Sequence, residues 1–125
     1  MNSDFDYHAE ETRKSNLLLQ AALLREQGRY ERAATLFAEA AAIEERLAES
    51  AEAKGDVSRA LRHRFSAASG WAQAGDFYHA LALLHSLEER ADAPPALRER
   101  IQAFSQVVNE QRERWSFALR EASLT

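Results

Sequence analysis

The stretch that decides the fold is residues 27–42, which read QGRYERAATLFAEAAA. Gly28 is expected to end one helix, because glycine enters the left-handed conformation behind a helix end without steric cost. The next apolar residues recur at spacings of three, four and three, on one face of a following helix: Tyr30, Ala33, Phe37 and Ala40. We expect the two alanines to let a neighbouring helix approach closely and the two aromatic side chains to fill the space between.

Two weaker copies of this pattern follow, KGDVSRA at residues 54–60 and AGDFYHA at residues 74–80. In each copy, as at Gly28, an alanine lies five residues after the glycine. Asp56 and Asp76 are expected to cap the helices that follow, since an aspartate can accept a backbone N–H and complement the helix dipole. Repeated helix–glycine–helix turns therefore predict a chain of antiparallel helical hairpins.

The whole chain is predicted to be one all-α domain, residues 1–125, with about five antiparallel helices. A capping residue at Ser3 or Asp4 is expected to begin the first helix, and Pro94 and Pro95 are expected to separate the fourth from the fifth. No strand is expected, since β-branched residues are few and do not alternate. The predicted helices are approximately residues 4–27, 30–54, 57–74, 77–91 and 95–121.

The turn at Gly28, with Tyr30, Ala33, Phe37 and Ala40 behind it, resembles the inter-helix turn and second helix of a tetratricopeptide repeat. The glycines are 27 and then 20 residues apart, whereas that repeat has a period of 34, so the hairpins are irregular. The same turn is also similar to the small three-helix microtubule-interacting-and-transport domains. Both resemblances imply a helical module that binds segments of other proteins.

Composition excludes several function classes. The 125 residues include no cysteine, so a disulfide framework, a thiolate metal site and a cysteine nucleophile are excluded. The formal net charge of −4 argues against generic nucleic-acid binding. The polar, acidic beginning is unlike a secretory signal, and no apolar run is long enough for a membrane span. These observations lead us to expect a cytoplasmic protein with neither membrane nor nucleic acid as a partner.

Residues for chemistry are sparse. None of the four histidines has a glutamate three residues before it, as a di-iron helical bundle requires. Asp76 and His79 have a similar spacing, but the capping role of Asp76 is the better interpretation. Adjacent glutamates such as Glu44 and Glu45 are expected on solvated helix faces. The sequence therefore predicts no catalytic residue, no cofactor and no metal site.

Two surface features are candidates for binding a partner. The third helix has an apolar stripe that includes Val57, Leu61 and Phe65. Arg59, Arg62 and His63 lie away from this stripe and are expected to face water, either paired with nearby glutamates or forming a partner-binding patch. On the fourth helix, Tyr78 adjoins Phe77 and must point elsewhere, which makes it a candidate for exposed recognition.

The fifth helix carries an apolar seam with alternating spacings of four and three, interrupted by one glutamine: Leu97, Ile101, Phe104, Val108, Gln111, Trp115 and Ala118. The helix is predicted to be longer than the fourth, which cannot cover it along its length. Either it lies back across helices one to three, with the first part of the seam packed intramolecularly, or it pairs with a second copy through the Trp115 end.

These features together predict a non-catalytic protein–protein interaction module, an adaptor or chaperone-like protein that holds a partner segment in a groove between helices. The candidate partner-binding residues are Arg59, Arg62, His63, Tyr78 and Trp115. One alternative is a small-molecule- or metal-binding helical-bundle enzyme. Another is a structural subunit of a larger assembly. The identity of the partner does not follow from the sequence.

Overall fold

A computed structural model of the chain describes residues 5–123, which form an all-α bundle of five helices without strands. The helices are α1 (Tyr7–Glu26), α2 (Tyr30–Ala53), α3 (Val57–Gln73), α4 (Phe77–Glu88) and α5 (Pro95–Ser123). Each helix packs against the next one along the chain, because the short turns leave consecutive helices side by side. The prediction of five antiparallel helices is confirmed.

The first helix begins later than the sequence suggests. Ser3 and Asp4 lie outside the described residues, and the cap of α1 is Asp6, whose carboxylate accepts the backbone N–H of Ala9 at 3.2 Å. Asp6 has extended backbone angles, as an N-cap residue requires. Two boundaries later in the chain also differ from the prediction. Helix α4 ends at Glu88 rather than near residue 91, and α5 runs to Ser123 rather than to about residue 121.

The left-handed turn predicted at Gly28 is confirmed by its φ of +78°. The amide of Gly28 donates to the carbonyl of Arg25 at 3.0 Å, and the next amide, of Arg29, reaches back to Leu24 at 2.9 Å. Both bonds satisfy carbonyl groups that the end of α1 leaves without helical partners. Gly55 and Gly75 form the same turn before α3 and α4.

The α2 face predicted to pack closely is buried, with one exception. Ala33, Phe37 and Ala40 are inaccessible to solvent, but Tyr30 is 68% exposed, so its predicted role as a filler between helices is wrong. Tyr30 is the first residue of α2. A helical side chain leans towards the N-terminus of its helix, and at this position no preceding turn is left for the ring to cover.

Helix α3 has two buried faces rather than the single predicted stripe. One face meets α2, where Gly70 lies so close to Ala41 that a Cβ atom added at Gly70 would be 2.9 Å from the Cβ of Ala41. The other face shares a core with α4 and α5 through Leu61, Ala68 and Ala72. Because α2 covers one side of α3 and α4 with α5 covers another, a polar residue beside the apolar stripe of α3 can still be buried.

Helix α5 packs along α4 and against α3 and, within residues 5–123, has no extensive contact with α1 or α2, so the expectation that it lies across helices one to three holds for α3 alone. Ile101 and Val108 are fully buried in the core with α3 and α4, and Leu97 and Phe104 pack on the edge of that core. The predicted intramolecular packing of the first part of the seam is thus confirmed. Among the helices of residues 5–123, none combines the length and apolar character that crossing a membrane requires.

Candidate binding surface

The candidate surface lies where α3 and α5 run side by side. The rings of Phe65 on α3 and Phe104 on α5 meet with their centroids 5.7 Å apart, and the guanidinium of Arg100 lies 4.9 Å from the centroid of the Phe65 ring. Cavities lie on either side of this aromatic contact. We call the one towards the N-termini of α3 and α5 the proximal cleft, and the one towards their C-termini the distal groove.

The proximal cleft has a volume of about 450 Å³ and an apolar floor formed by Val57, Leu61 and Leu97. Arg62 of α3 and Arg100 of α5 also line it. Within residues 5–123 neither guanidinium makes a hydrogen bond or an ion pair, although Arg100 lies over Phe65. An apolar floor with two such cations suits a ligand that combines an apolar side chain with carboxylates.

The acidic residue at the rim of the proximal cleft is already paired. The carboxylate of Asp92 accepts a hydrogen bond from the guanidinium of Arg90 at 2.8 Å. The same guanidinium donates two hydrogen bonds to the carboxylate of Glu52 on α2, at 2.9 and 3.1 Å. Arg64 of α3 also donates to Glu52, at 3.0 Å. Hydrogen bonds from Arg90 and then Arg64 lower the pKa of the Glu52 carboxyl to about 2, and the hydrogen bond from Arg90 lowers the pKa of Asp92. The network leaves Asp92 committed to Arg90 rather than to the cations of the cleft.

The distal groove is larger, about 720 Å³, and opens beside the second half of α5. Its apolar surface comes from Phe77, Phe104 and Trp115, while Arg25 and Arg114 supply positive charge. Arg25 is held by Gln73, whose side-chain oxygen accepts its N–H at 2.9 Å. Trp115 is 58% exposed here, because α4 begins at Phe77 and the antiparallel α5 runs on beyond that end of α4.

The two arginines of the predicted basic patch have different environments. Arg62 is exposed and lines the proximal cleft. Arg59 is also exposed, but it pairs with Asp56 at 3.7 Å and lies over the ring of Tyr7, with 5.6 Å between its guanidinium carbon and the ring centroid. The expectation that both face water is confirmed. Arg62 faces the proximal cleft, whereas Arg59 contacts Tyr7 of α1 and Asp56, the N-cap residue of α3.

The expectation that His63 faces water is wrong, since the residue is only 8% exposed. It lies on the face of α3 that packs against α2, where its Nδ1 donates to the carboxylate of Glu44 at 2.8 Å. Its Nε2 lies 2.5 Å from the hydroxyl of Tyr7, and Lys14 approaches Glu44 at 3.6 Å. Glu44 is buried too, contrary to the prediction of a solvated face. The buried carboxylate and imidazole thus satisfy each other's hydrogen bonds. Together with Tyr7 and Lys14 of α1 they join α1, α2 and α3.

The aromatic candidates lie at separate places on the surface. Tyr78 is 73% exposed, as predicted, with the guanidinium carbon of Arg112 5.7 Å from its ring centroid. It belongs to neither cavity lining, whereas Trp115 lines the distal groove. The candidate residues therefore do not form a single patch.

The spacing of Asp76 and His79 has a structural explanation. Asp76 accepts the backbone N–H of His79 at 3.1 Å, which confirms the predicted cap of α4. The imidazole of His79 stacks on Trp71, with centroids 4.1 Å apart, and its Nε2 lies 3.0 Å from Glu45. In the described part of the chain, no group of three or more histidine or acidic side chains could hold a metal ion.

The sequence pattern did not single out Arg100, Arg114 or the place of Leu97 in the floor of the proximal cleft. The spacing predicts only that Leu97 belongs to the seam of α5, and no local pattern indicates that Arg100 lies near Arg62, which is 38 residues earlier in the chain. A usable signal was present, because Arg62 and Arg100 each adjoin an apolar residue of their own helix, Leu61 and Ile101 respectively. Pairing the two stripes side by side would have placed the two arginines on the same rim.

Comparisons of the sequence with protein-family models and with curated proteins, and of the fold with solved structures, find no match.

Proposed function

We propose that this protein is a non-catalytic protein-interaction module that binds an acidic, partly apolar segment of a partner protein in the proximal cleft. The observation that carries the proposal is the pair of arginines, Arg62 and Arg100, beside an apolar floor and without carboxylate partners in residues 5–123. Arginine matches a carboxylate with two parallel N–H groups, and the leucines and valine below can hold an apolar anchor. The array of helical hairpins fits the tetratricopeptide-like class that residues 27–42 resemble.

The adjoining network supports this proposal by fixing one wall of the cleft. Arg90 joins the segment between α4 and α5 to Glu52 of α2, and Arg98 caps carbonyl groups of the same segment, at 2.8 Å from Glu88 and 3.2 Å from Ala93. A binding site held by hydrogen bonds in this way loses less conformational entropy when a ligand enters. The cleft is therefore suited to binding a ligand with little rearrangement.

The test uses two synthetic amphipathic peptides with identical apolar positions, one with glutamate and one with lysine at the polar positions. The full chain is expected to bind the glutamate peptide more tightly, with an affinity that falls as salt is added. Replacing both cleft arginines, Arg62→Gln with Arg100→Gln, is expected to weaken that binding about tenfold or more, since hydrogen bonds to charged groups contribute about 1.5–3 kcal/mol each.

A matched control removes the same charge elsewhere. Arg29→Gln with Arg32→Gln changes the net charge equally on a cavity beside the α1–α2 turn, away from α3 and α5. This control should bind the glutamate peptide like wild type. Equal losses in both double variants, or equal binding of the lysine peptide, would reduce the effect to net charge and contradict the proposal. Melting temperatures of all variants check that the fold is retained.

Self-association is a second candidate, favoured by a separate observation. The seam of α5 continues beyond Val108 to Trp115 and Ala118, but these two residues are exposed. We propose that this uncovered half of the helix packs against a second copy of the chain. A two-chain mass in sedimentation equilibrium, against 14.1 kDa for one chain, is the expected result, and a one-chain mass at every concentration would contradict it.

A further inference from the structure

We infer a definite geometry for that self-association, and the inference rests on the self-association proposed above. Residues 110–123, the distal half of α5, pack antiparallel against the same residues of a second copy. Trp115 lies opposite Ala118 of the second copy, and Arg114 lies beside Glu121 of the second copy. Three observations lead to this arrangement.

The first observation is that the seam of α5 continues beyond Val108, the last seam residue that α3 and α4 bury. Spacings of four and three continue without a break from Phe104 through Val108 and Gln111 to Trp115 and Ala118. That repeat is typical of helices that pack lengthwise on another helix. Up to Val108 the other helices are α3 and α4, but α4 has 12 residues and α5 has 29. The distal half thus has a helix-packing face without a helix on it.

The second observation is complementarity of size. When two identical helices pair antiparallel, Trp115 of one can lie opposite Ala118 of the other, and symmetry produces the same contact twice. A large ring is then paired with a methyl group at both positions, so the helices can approach closely. A parallel pair would place one Trp115 beside the other and one Ala118 beside the other, leaving a bulge and a gap.

The third observation is complementarity of charge. Arg114 and Glu121 flank the seam on the same side and make no ion pair within residues 5–123. They are seven residues apart, about 10 Å along the helix axis, which is too far for an ion pair within one helix. In the antiparallel pair each lies beside its opposite in the other copy, so two ion pairs form. Charges that flank a helix seam are the usual determinants of partner and orientation.

Exposure alone does not distinguish Trp115 from the other aromatic side chain in the distal half of α5. Phe117 is equally exposed, at 58%, but it lies on the opposite side of α5 together with Glu113 and Arg120. Those three residues point away from the distal groove and from the seam. They supply matched controls, because each resembles a seam-side residue in type and exposure.

The test is sedimentation equilibrium of full-length variants at low salt. Arg114→Glu alone and Glu121→Arg alone should each weaken the dimer about tenfold, because each replaces two attractions by two repulsions. The double reversal, Arg114→Glu with Glu121→Arg, should restore wild-type affinity. Arg120→Glu makes the same charge change as Arg114→Glu on the other side and should leave the dimer intact.

The outcomes separate the geometry from the self-association on which it rests. A wild-type protein that stays monomeric at high concentration overturns both. A wild-type dimer that the double reversal fails to restore, or that Arg120→Glu weakens as much as Arg114→Glu, overturns the antiparallel register and leaves self-association standing. Far-ultraviolet circular dichroism of each variant verifies that α5 remains helical, so loss of the helix is not mistaken for loss of the contact.

Discussion

The two halves of α5 share one sequence pattern and have different surroundings. In the proximal half, residues 95–109, the seam is fully buried at Ile101 and Val108 between α3 and α4. In the distal half, Trp115 continues the seam and remains exposed. The difference comes from the length of α4, not from α5 itself. A periodic apolar seam therefore predicts that a helix needs a partner, but it does not say whether that partner is in the same chain.

The largest effect expected from this comparison is at Ile101. Replacing it with alanine should lower the free energy of unfolding by about 2–5 kcal/mol, because the substitution leaves a cavity in a core that cannot fully collapse. Chemical denaturation monitored by circular dichroism measures the change. A loss below about 1 kcal/mol would show that the proximal half is not packed as described.

The close contact between α2 and α3 at Gly70 should be nearly as sensitive. Gly70→Val adds atoms where even a Cβ lies 2.9 Å from Ala41, so α2 and α3 must move apart, at a cost of about 1–3 kcal/mol. Gly70→Ala should cost less than Gly70→Val in the same denaturation experiment. Substitutions tolerated without loss would mean that α2 and α3 do not approach so closely.

The hydrogen bonds that hold the segment before α5 should make stability depend on pH. The pKa of Glu52 is about 2 in the folded protein and 4.5 ordinarily, because Arg90 and Arg64 donate to its carboxylate. A lowered folded-state pKa stabilises the fold above about pH 4.5, and this contribution is lost as pH falls from there towards about 2. Thermal melts across this range should show a smaller acid-induced drop for Glu52→Gln than for wild type. Parallel drops would exclude Glu52 as a source of the acid sensitivity.

The smallest effect on folding is expected in the distal half. For the dilute, monomeric protein, Trp115→Ala should change the free energy of unfolding by no more than about 0.5 kcal/mol, since the side chain makes few contacts that folding forms. Phe117→Ala is the matched comparison and should behave alike. A loss as large as that of Ile101→Ala would show that Trp115 is already covered within its own chain.

Local signals predicted the helices and their turns well. Gly28, with its left-handed conformation, and Asp76, as a cap, act through neighbours a few residues away, and such effects can be read from the order of residues. The sequence predicts the end of α4 near residue 91, three residues after the observed end at Glu88, because no glycine marks this boundary. Helix boundaries without such a marker are the less predictable ones.

The orientation of side chains on α3 was predicted poorly. The apolar stripe of α3 predicts that His63 faces water, and that of α2 predicts the same for Glu44. Both residues are buried, because they lie where α2 and α3 meet and form a hydrogen bond with each other. Likewise the proximal cleft joins Arg62 and Arg100 from helices far apart in sequence. Both features depend on which helices become neighbours in space, and the pattern of one helix does not contain that information.

The central claim, that the distal half of α5 is a helix-packing face completed by a second copy, is tested most directly at Trp115 itself. The chain has two tryptophans, so a Trp71→Phe variant leaves Trp115 as the sole reporter. Quenching of its fluorescence by acrylamide should weaken as protein concentration rises, because the second copy covers the ring. Arg114→Glu in the same background should restore strong quenching at equal concentration. Quenching that stays strong and independent of concentration would contradict the claim.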